Sequence, residues 1–123
     1  MIAGVVNDKL EATLRVLVVG QDGGSQEVTA VIDTGYNGAI TLPASVVSAL
    51  ALPRGASREV TLGDTSRKAF DYYTAEVVWD GQPRKVRVLG IEGDPLIGTA
   101  PLQGYKLDAD FVVNGPVVLT AVP

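Results

Sequence analysis

Apolar residues recur along most of this chain at a period of two. Leu10, Ala12, Leu14, Val16 and Val18 alternate with Glu11, Thr13 and Arg15. That spacing predicts a strand with one face buried and the other in water. Asp22-Gly23-Gly24-Ser25 supplies turn chemistry, and Glu27 to Ile32 returns as the second strand of a hairpin. The end of that strand is apolar on both faces and is expected to run under cover. Pro43 to Leu50 is the best helix segment. Proline at a first helical position loses nothing, because that N–H has no intrahelical partner, and Pro53 blocks any extension. Val60 and Leu62 lead into a turn at Gly63-Asp64-Thr65-Ser66. Arg67 to Trp79 is rich in aromatic and β-branched residues and predicts a long strand. Asp80-Gly81 predicts a tight hairpin, with Val86, Val88 and Gly90 on the return strand. Pro95-Leu96-Ile97-Gly98 has the composition of a short buried strand. Thr99 to Gly104 has room for one helical turn, which Pro101 confines. Lys106 to Val113 and Val117 to Val122 flank a last hairpin signal at Asn114-Gly115. Short strands with regular turn punctuation predict a mainly β chain, a small barrel or sandwich, with one or two short helices.

A length of 123 residues implies a single domain spanning 1–123. The net charge of -4 argues against a nucleic-acid partner. No apolar run approaches the ~20 residues that span a bilayer, so no membrane partner is expected. The first eight residues lack the basic start and apolar stretch of a secretion signal. Without cysteine there is no disulfide framework, which is compatible with a reducing cytoplasm, the expected location.

Histidine is absent too. Cys/His zinc sites, Ser-His-Asp triads and cysteine nucleophiles are therefore excluded. Any acid or base in a catalytic site must be Asp, Glu, Lys or Tyr. The nine aspartates are the natural candidates, and most of them sit in turns. Asp22, Asp64 and Asp80 each adjoin a glycine, Asp94 precedes Pro95, and Asp108 and Asp110 alternate on a late strand facing solvent. Lys9, Arg67, Lys68, Arg84, Lys85 and Arg87 read as a solvated face, and Trp79 and Tyr105 as anchors of the core or of a dimer surface.

Asp33 differs from the other aspartates. It directly follows the apolar run Ala30-Val31-Ile32, and Ala39-Ile40-Thr41-Leu42 comes soon after. A carboxylate so flanked is at least partly buried, and needs hydrogen bonds or a partner to stay charged. Thr34 offers a hydroxyl, and Gly35 a backbone N–H that approaches closely for want of a Cβ. Alone, Asp-Thr-Gly is also ordinary turn chemistry.

The wider pattern adds to this. Val31-Ile32-Asp33-Thr34-Gly35-Tyr36-Asn37-Gly38, followed some sixty residues later by Pro95-Leu96-Ile97-Gly98, resembles the retropepsin-like aspartic proteases. Met1 to Asn7, Ile40-Thr41-Leu42-Pro43 and the ending with Gly104, Leu107 and Gly115 look like their small, single-domain bacterial branch. Three positions depart from the pattern. Tyr36 stands where a small residue is usual, the turn at Gly63 lacks a glycine-rich tip, and Thr99-Ala100-Pro101 replaces larger apolar residues.

The resemblance implies a closed β-barrel, half of an acid protease, completed as a homodimer. Asp33 would be catalytic, with Thr34 and Gly35 bracing its loop. One chain supplies one such aspartate, and a two-fold axis supplies the other. The pair would work as general acid and base on a water that attacks a peptide bond. Two carboxylates about 3 Å apart share one proton, which favours acidic conditions. No metal or organic cofactor is implied. A peptide or protein substrate would lie extended across the dimer. Leu62, Gly63 and Asp64 would cover it as a flap, and Tyr36 and Ile97 are candidate pocket residues. In viral members of that family the chain termini form a sheet between subunits, and the resemblance leaves open whether this chain does so. The competing reading is a non-catalytic protease-like β domain that binds peptides or directs assembly, with Asp33 as a structural residue.

Overall fold

The structure is a computed structural model that describes residues 1–61 and 63–123. Ten strands and one helix follow one another among the described residues: β1 Ile2–Val6, β2 Ala12–Val19, β3 Ser25–Ile32, β4 Ile40–Leu42, α1 Ala44–Ala49, β5 Arg54–Thr61, β6 Arg67–Trp79, β7 Gln82–Gly90, β8 Leu96–Ile97, β9 Tyr105–Ala109 and β10 Pro116–Ala121. They form one sheet in the order β5-β6-β7-β4-β8-β3-β2-β1-β10-β9. An additional antiparallel pairing of β2 with β6, Leu17 opposite Val78, closes six of the strands into a ring. The mainly β expectation holds, and the ring is the barrel.

Alternation explains the core. Ala12, Leu14, Val16 and Val18 of β2 point inward to meet Val28 and Ala30 of β3, with Ala75, Val77 and Trp79 of β6 in the same cluster. Leu14, Val18, Ile97 and Leu119 are almost wholly removed from water. Two positions depart from the alternation expected around β2. Leu10 is not in the strand but in the turn before it, half exposed and with φ of +60°. Thr13, expected to face water, is buried, because β1 runs beside it and its hydroxyl donates to the Val5 carbonyl (2.7 Å).

The turn signals perform as their chemistry dictates. Asp80 and Gly81 both adopt positive φ (52° and 78°), the geometry of a two-residue hairpin that matches strand twist. Pro43 is the residue before α1 rather than its first helical residue. It is extended (ψ 161°), and its carbonyl accepts from the amides of Val46 and Val47. Thr99 to Gly104 makes successive i to i+3 bonds, such as Leu102 N–H to Thr99, and stays a chain of turns rather than a helix.

Two regions escaped the periodicity. Ile2–Val6 is a strand held between β2 and β10, with Gly4 opposite Val117. Gly4 weakens the strand signal but permits the packing, since a Cβ there would meet the Thr13 carbonyl oxygen at 1.9 Å. Lys106 to Val113 is shorter as a strand than expected. β9 ends at Ala109, and 110–115 is a loop, not a two-residue turn at Asn114-Gly115. The reason lies outside the hairpin, because Asn114 N–H and the Gly115 carbonyl bond to Val6 of β1, both at 2.8 Å.

Among the described residues no helix is long and apolar enough to cross a membrane.

Candidate functional site

Asp33 sits at the exit of β3, and the topology around it is unusual for consecutive strands. β8 lies between β3 and β4, parallel to the first and antiparallel to the second. The chain from Ile32 to Ile40 therefore bridges over the end of β8. Backbone bonds fasten this bridge. Asp33 N–H donates to the Ile97 carbonyl (2.8 Å), Gly98 N–H to Ala39 (3.0 Å), Thr99 N–H to Tyr36 (2.8 Å) and Ala100 N–H to Gly38 (3.2 Å). From below, the Leu96 amide donates to the buried Thr41 hydroxyl (2.9 Å), which fixes β8 against β4.

Two glycines make the crossing possible. A Cβ on Gly98 would lie 2.2 Å from the Gly38 carbonyl oxygen and 2.6 Å from that of Tyr36. A Cβ on Gly38 would strike the Tyr36 ring and its hydroxyl. The Ile97-Gly98 pair is thus a physical requirement of the loop above it, since only a residue without a side chain allows the two backbones to touch.

Asp33 is half-buried, and Thr34 and Gly35 are exposed. Gly35 N–H donates to Asp33 Oδ1 at 2.9 Å, which orients the carboxylate within its own loop. Among the described residues the Thr34 hydroxyl has no hydrogen-bond partner. Asp33 and Thr34 open on a groove of about 450 Å³, whose walls include Glu11, Val31, Leu96, Leu107 and Phe111. A half-buried carboxylate held by one amide and open to such a groove is reachable by a water or a ligand placed there.

The remaining expected site residues are dispersed. Ile97 is 1% exposed and belongs to the core, supporting the loop from beneath, and it does not wall the Asp33 groove. Tyr36 is part of the loop itself, with its ring folded over Gly38. Burial, and then the nearby Tyr72, push its hydroxyl up to about 12, so it stays neutral and cannot act as a base. Gly63 and Asp64 belong to the turn between β5 and β6 and do not wall the Asp33 groove. Asp64 accepts from the Ser66 hydroxyl (2.5 Å) and amide (3.0 Å), and these bonds hold its carboxyl below the usual carboxylate range. Leu62, the remaining flap residue, lies outside the described residues.

Leu10, Leu107 and Phe111 were not legible as site residues. The one available signal was Phe111-Val112-Val113, an apolar triplet that breaks the period of two beside Asn114-Gly115.

No protein-family profile matches this chain, and no curated protein matches it in sequence. Its fold is nevertheless shared by solved structures. One is the EIAV protease in complex with the inhibitor HBY-793, which is 21% identical with a TM-score of 0.53 over 76% of this chain and 86% of that one. Another is a retropepsin-like aspartic protease from Rickettsia conorii, which is 15% identical with a TM-score of 0.57 over 99% of this chain and 91% of that one. The chain therefore has the retropepsin-like fold.

Proposed function

We propose that this protein is an aspartic endopeptidase that works as a homodimer, with Asp33 from each chain forming the catalytic pair. The observation that carries the reading is the placement of Asp33. It stands on a loop braced by four backbone bonds, with its carboxylate oriented by Gly35 and open to a groove.

The chemistry requires two carboxyl groups in different protonation states. The ionised one takes a proton from water as the water oxygen attacks the scissile carbonyl carbon. The protonated one donates to the carbonyl oxygen, and a tetrahedral diol forms. The C–N bond then breaks as the carboxyl that took the water proton gives it to the leaving nitrogen, while the other carboxylate takes a proton from one diol hydroxyl, whose oxygen becomes the new carbonyl, and the pair returns to its starting state. One chain offers one aspartate in this setting, and two-fold symmetry is the economical source of the second. The exposed Thr34 hydroxyl, without a partner among the described residues, is available to a neighbour across that axis. Substrate is an extended peptide bound by main-chain pairing across the dimer, with Tyr36 shaping a subsite. The β5–β6 hairpin, with Gly63 and Asp64 at its turn, serves as the cover. No cofactor or metal takes part in this scheme.

Asp33→Asn tests the reading, since it removes the base with little change in volume. Cleavage of a broad peptide library should fall at least about 1,000-fold, the scale of losing an essential acid–base group. The wild-type rate should follow a bell-shaped pH profile with an acidic optimum. Wild-type rates in purified Asp33→Asn would sink the proposal and favour a peptide-binding or assembly module instead.

A further inference from the structure

We propose that Glu11 selects the substrate of the Asp33 groove, favouring extended peptides that carry a lysine or arginine side chain beside the cleaved bond. The inference rests on the endopeptidase reading above and names the substrate class that the same groove would take.

Strand register brings Glu11 to the groove. β2 and β3 pair with Thr13 opposite Val31. Two positions further along that register, past the last paired rung, stand Glu11 on one segment and Asp33 on the other. Both residues are half-buried, and both wall the same groove. Two carboxylates facing one groove repel each other, and a bound cation offsets that cost.

The Glu11 carboxylate is fixed but not neutralised. Asn7 N–H donates to the Glu11 carbonyl, Glu11 N–H donates to Asn7 Oδ1, and Asn7 Nδ2 donates to Glu11 Oε1, each at 2.9 Å. A neutral amide orients the carboxylate without cancelling its charge. Among the described residues Glu11 Oε2 has no partner, and neither Glu11 nor Asp33 forms an ion pair. Among the same residues no lysine or arginine walls the groove. Lys106, next to Leu107 in the chain, is taken by Asp108 at 3.5 Å.

The other walls shape what fits. Val31, Leu96, Leu107 and Phe111 are apolar. Lysine and arginine side chains join an apolar stem to a charged head. The stem would lie along these walls while the head donates to Glu11 Oε2, which leaves Asp33 free for the water and the scissile carbonyl. An apolar side chain would fill the same space but leave Glu11 unpaired, and an acidic one would be repelled. Selection therefore has both an attractive and a repulsive part.

Cleavage of a peptide series by the full chain provides the test. Short extended peptides in an alanine-rich background carry arginine, lysine, norleucine or glutamate at each position in turn. The best arginine and lysine peptides should exceed their norleucine counterparts in kcat/KM at least about 10-fold, mainly through KM. That ratio should shrink as salt rises from about 0.05 to about 0.5 M. Glu11→Gln keeps an acceptor for Asn7 and removes the charge, so it should bring the ratio close to one. Glu11→Lys should turn the preference toward glutamate. Glu27→Gln, an exposed site that pairs with Arg15 and does not wall the groove, should keep the wild-type ratio. Equal rates on charged and neutral peptides in wild type overturn the proposal, and so does a preference that survives in Glu11→Gln. A Glu11→Gln protein whose kcat collapses on every peptide also overturns it, by placing Glu11 in the acid–base pair instead. Fluorescence anisotropy of the same labelled peptides on Asp33→Asn separates the two readings. Tighter binding of arginine than norleucine peptides, abolished when Glu11→Gln is added, upholds the selection by charge. If that result comes with a wild type that cleaves nothing, the endopeptidase reading alone falls.

Discussion

The loop that carries Asp33 and the β5–β6 hairpin are built from opposite materials. The loop rests on Ile97 and Gly98, and its amides and carbonyls are tied to residues some sixty positions away. The hairpin is an antiparallel ladder from Arg54 opposite Tyr73 to Thr61 opposite Arg67, with β5 at the edge of the sheet, and exposed polar side chains add ties between its two strands. Arg54 pairs with Asp71 at 2.9 Å, Arg67 with Glu59 at 3.4 Å, and the Ser57 hydroxyl donates to Asp71. Backbone bonds over a packed floor open only with the global structure, whereas solvent-exposed ion pairs hold weakly and open locally. Under the proposed function the difference matches the two roles, with the reacting group on the fixed loop and the cover on the looser hairpin.

The largest expected effect comes from Gly98→Val. Its side chain would enter the Gly38 and Tyr36 carbonyls, destabilising the protein by about 3 kcal/mol or more in urea unfolding. Any activity should be lost with it. If Gly98→Val unfolds at the wild-type midpoint, the loop is not the rigid element described. Ile97→Val keeps the backbone crossing and removes one buried methylene, so a loss of about 1 kcal/mol is expected.

Asp71→Asn probes the other region. The urea midpoint should stay where it is, while amide exchange across residues 57–71 speeds up. Uniform protection in that variant would erase the contrast between the two regions. Acid should act in the same direction. The Ser57 hydroxyl and then Arg54 hold the Asp71 carboxyl below its ordinary 3.8, and Ser66 does the same for Asp64. Their contribution is full above that ordinary value and is lost as pH falls through the lower folded value. Hydrogen exchange between pH 4 and 2 should therefore show the hairpin loosening before the Asp33 loop. Tyr36 reports at the alkaline end. Its raised value means that the unfolded chain ionises first, so stability should decline from pH 10 to about 12, and Tyr36→Phe should flatten that decline.

The legibility of the chain followed the range of the interactions involved. β6 was read to the residue, because a thirteen-residue run of aromatic and β-branched side chains between two turns admits little else. Asp33 was singled out by the apolar strand before it, and Ile97-Gly98 by the resemblance. Their mutual support is visible only as bonds in the structure. β1 was missed because Gly4, which looks like a strand breaker, is needed for contact with Thr13. The 110–115 loop was misjudged because its hydrogen bonds go to Val6, more than a hundred residues earlier.

By itself the sequence bounded the chemistry. With no histidine and no cysteine, Asp, Glu, Lys and Tyr were left as candidate acid–base groups, and local patterning placed one aspartate at a strand exit. It also determined most strands and turns, since alternation and turn residues act over a few positions. Only the tertiary structure decided how the ring closes, which edges remain open and that Leu107 and Phe111 come to line the Asp33 groove. Those outcomes depend on pairings such as Ile2 with Leu119 and Leu17 with Val78. Contacts over such separations leave no periodic trace in the chain, because each partner satisfies its own local rule whichever strand it finally meets.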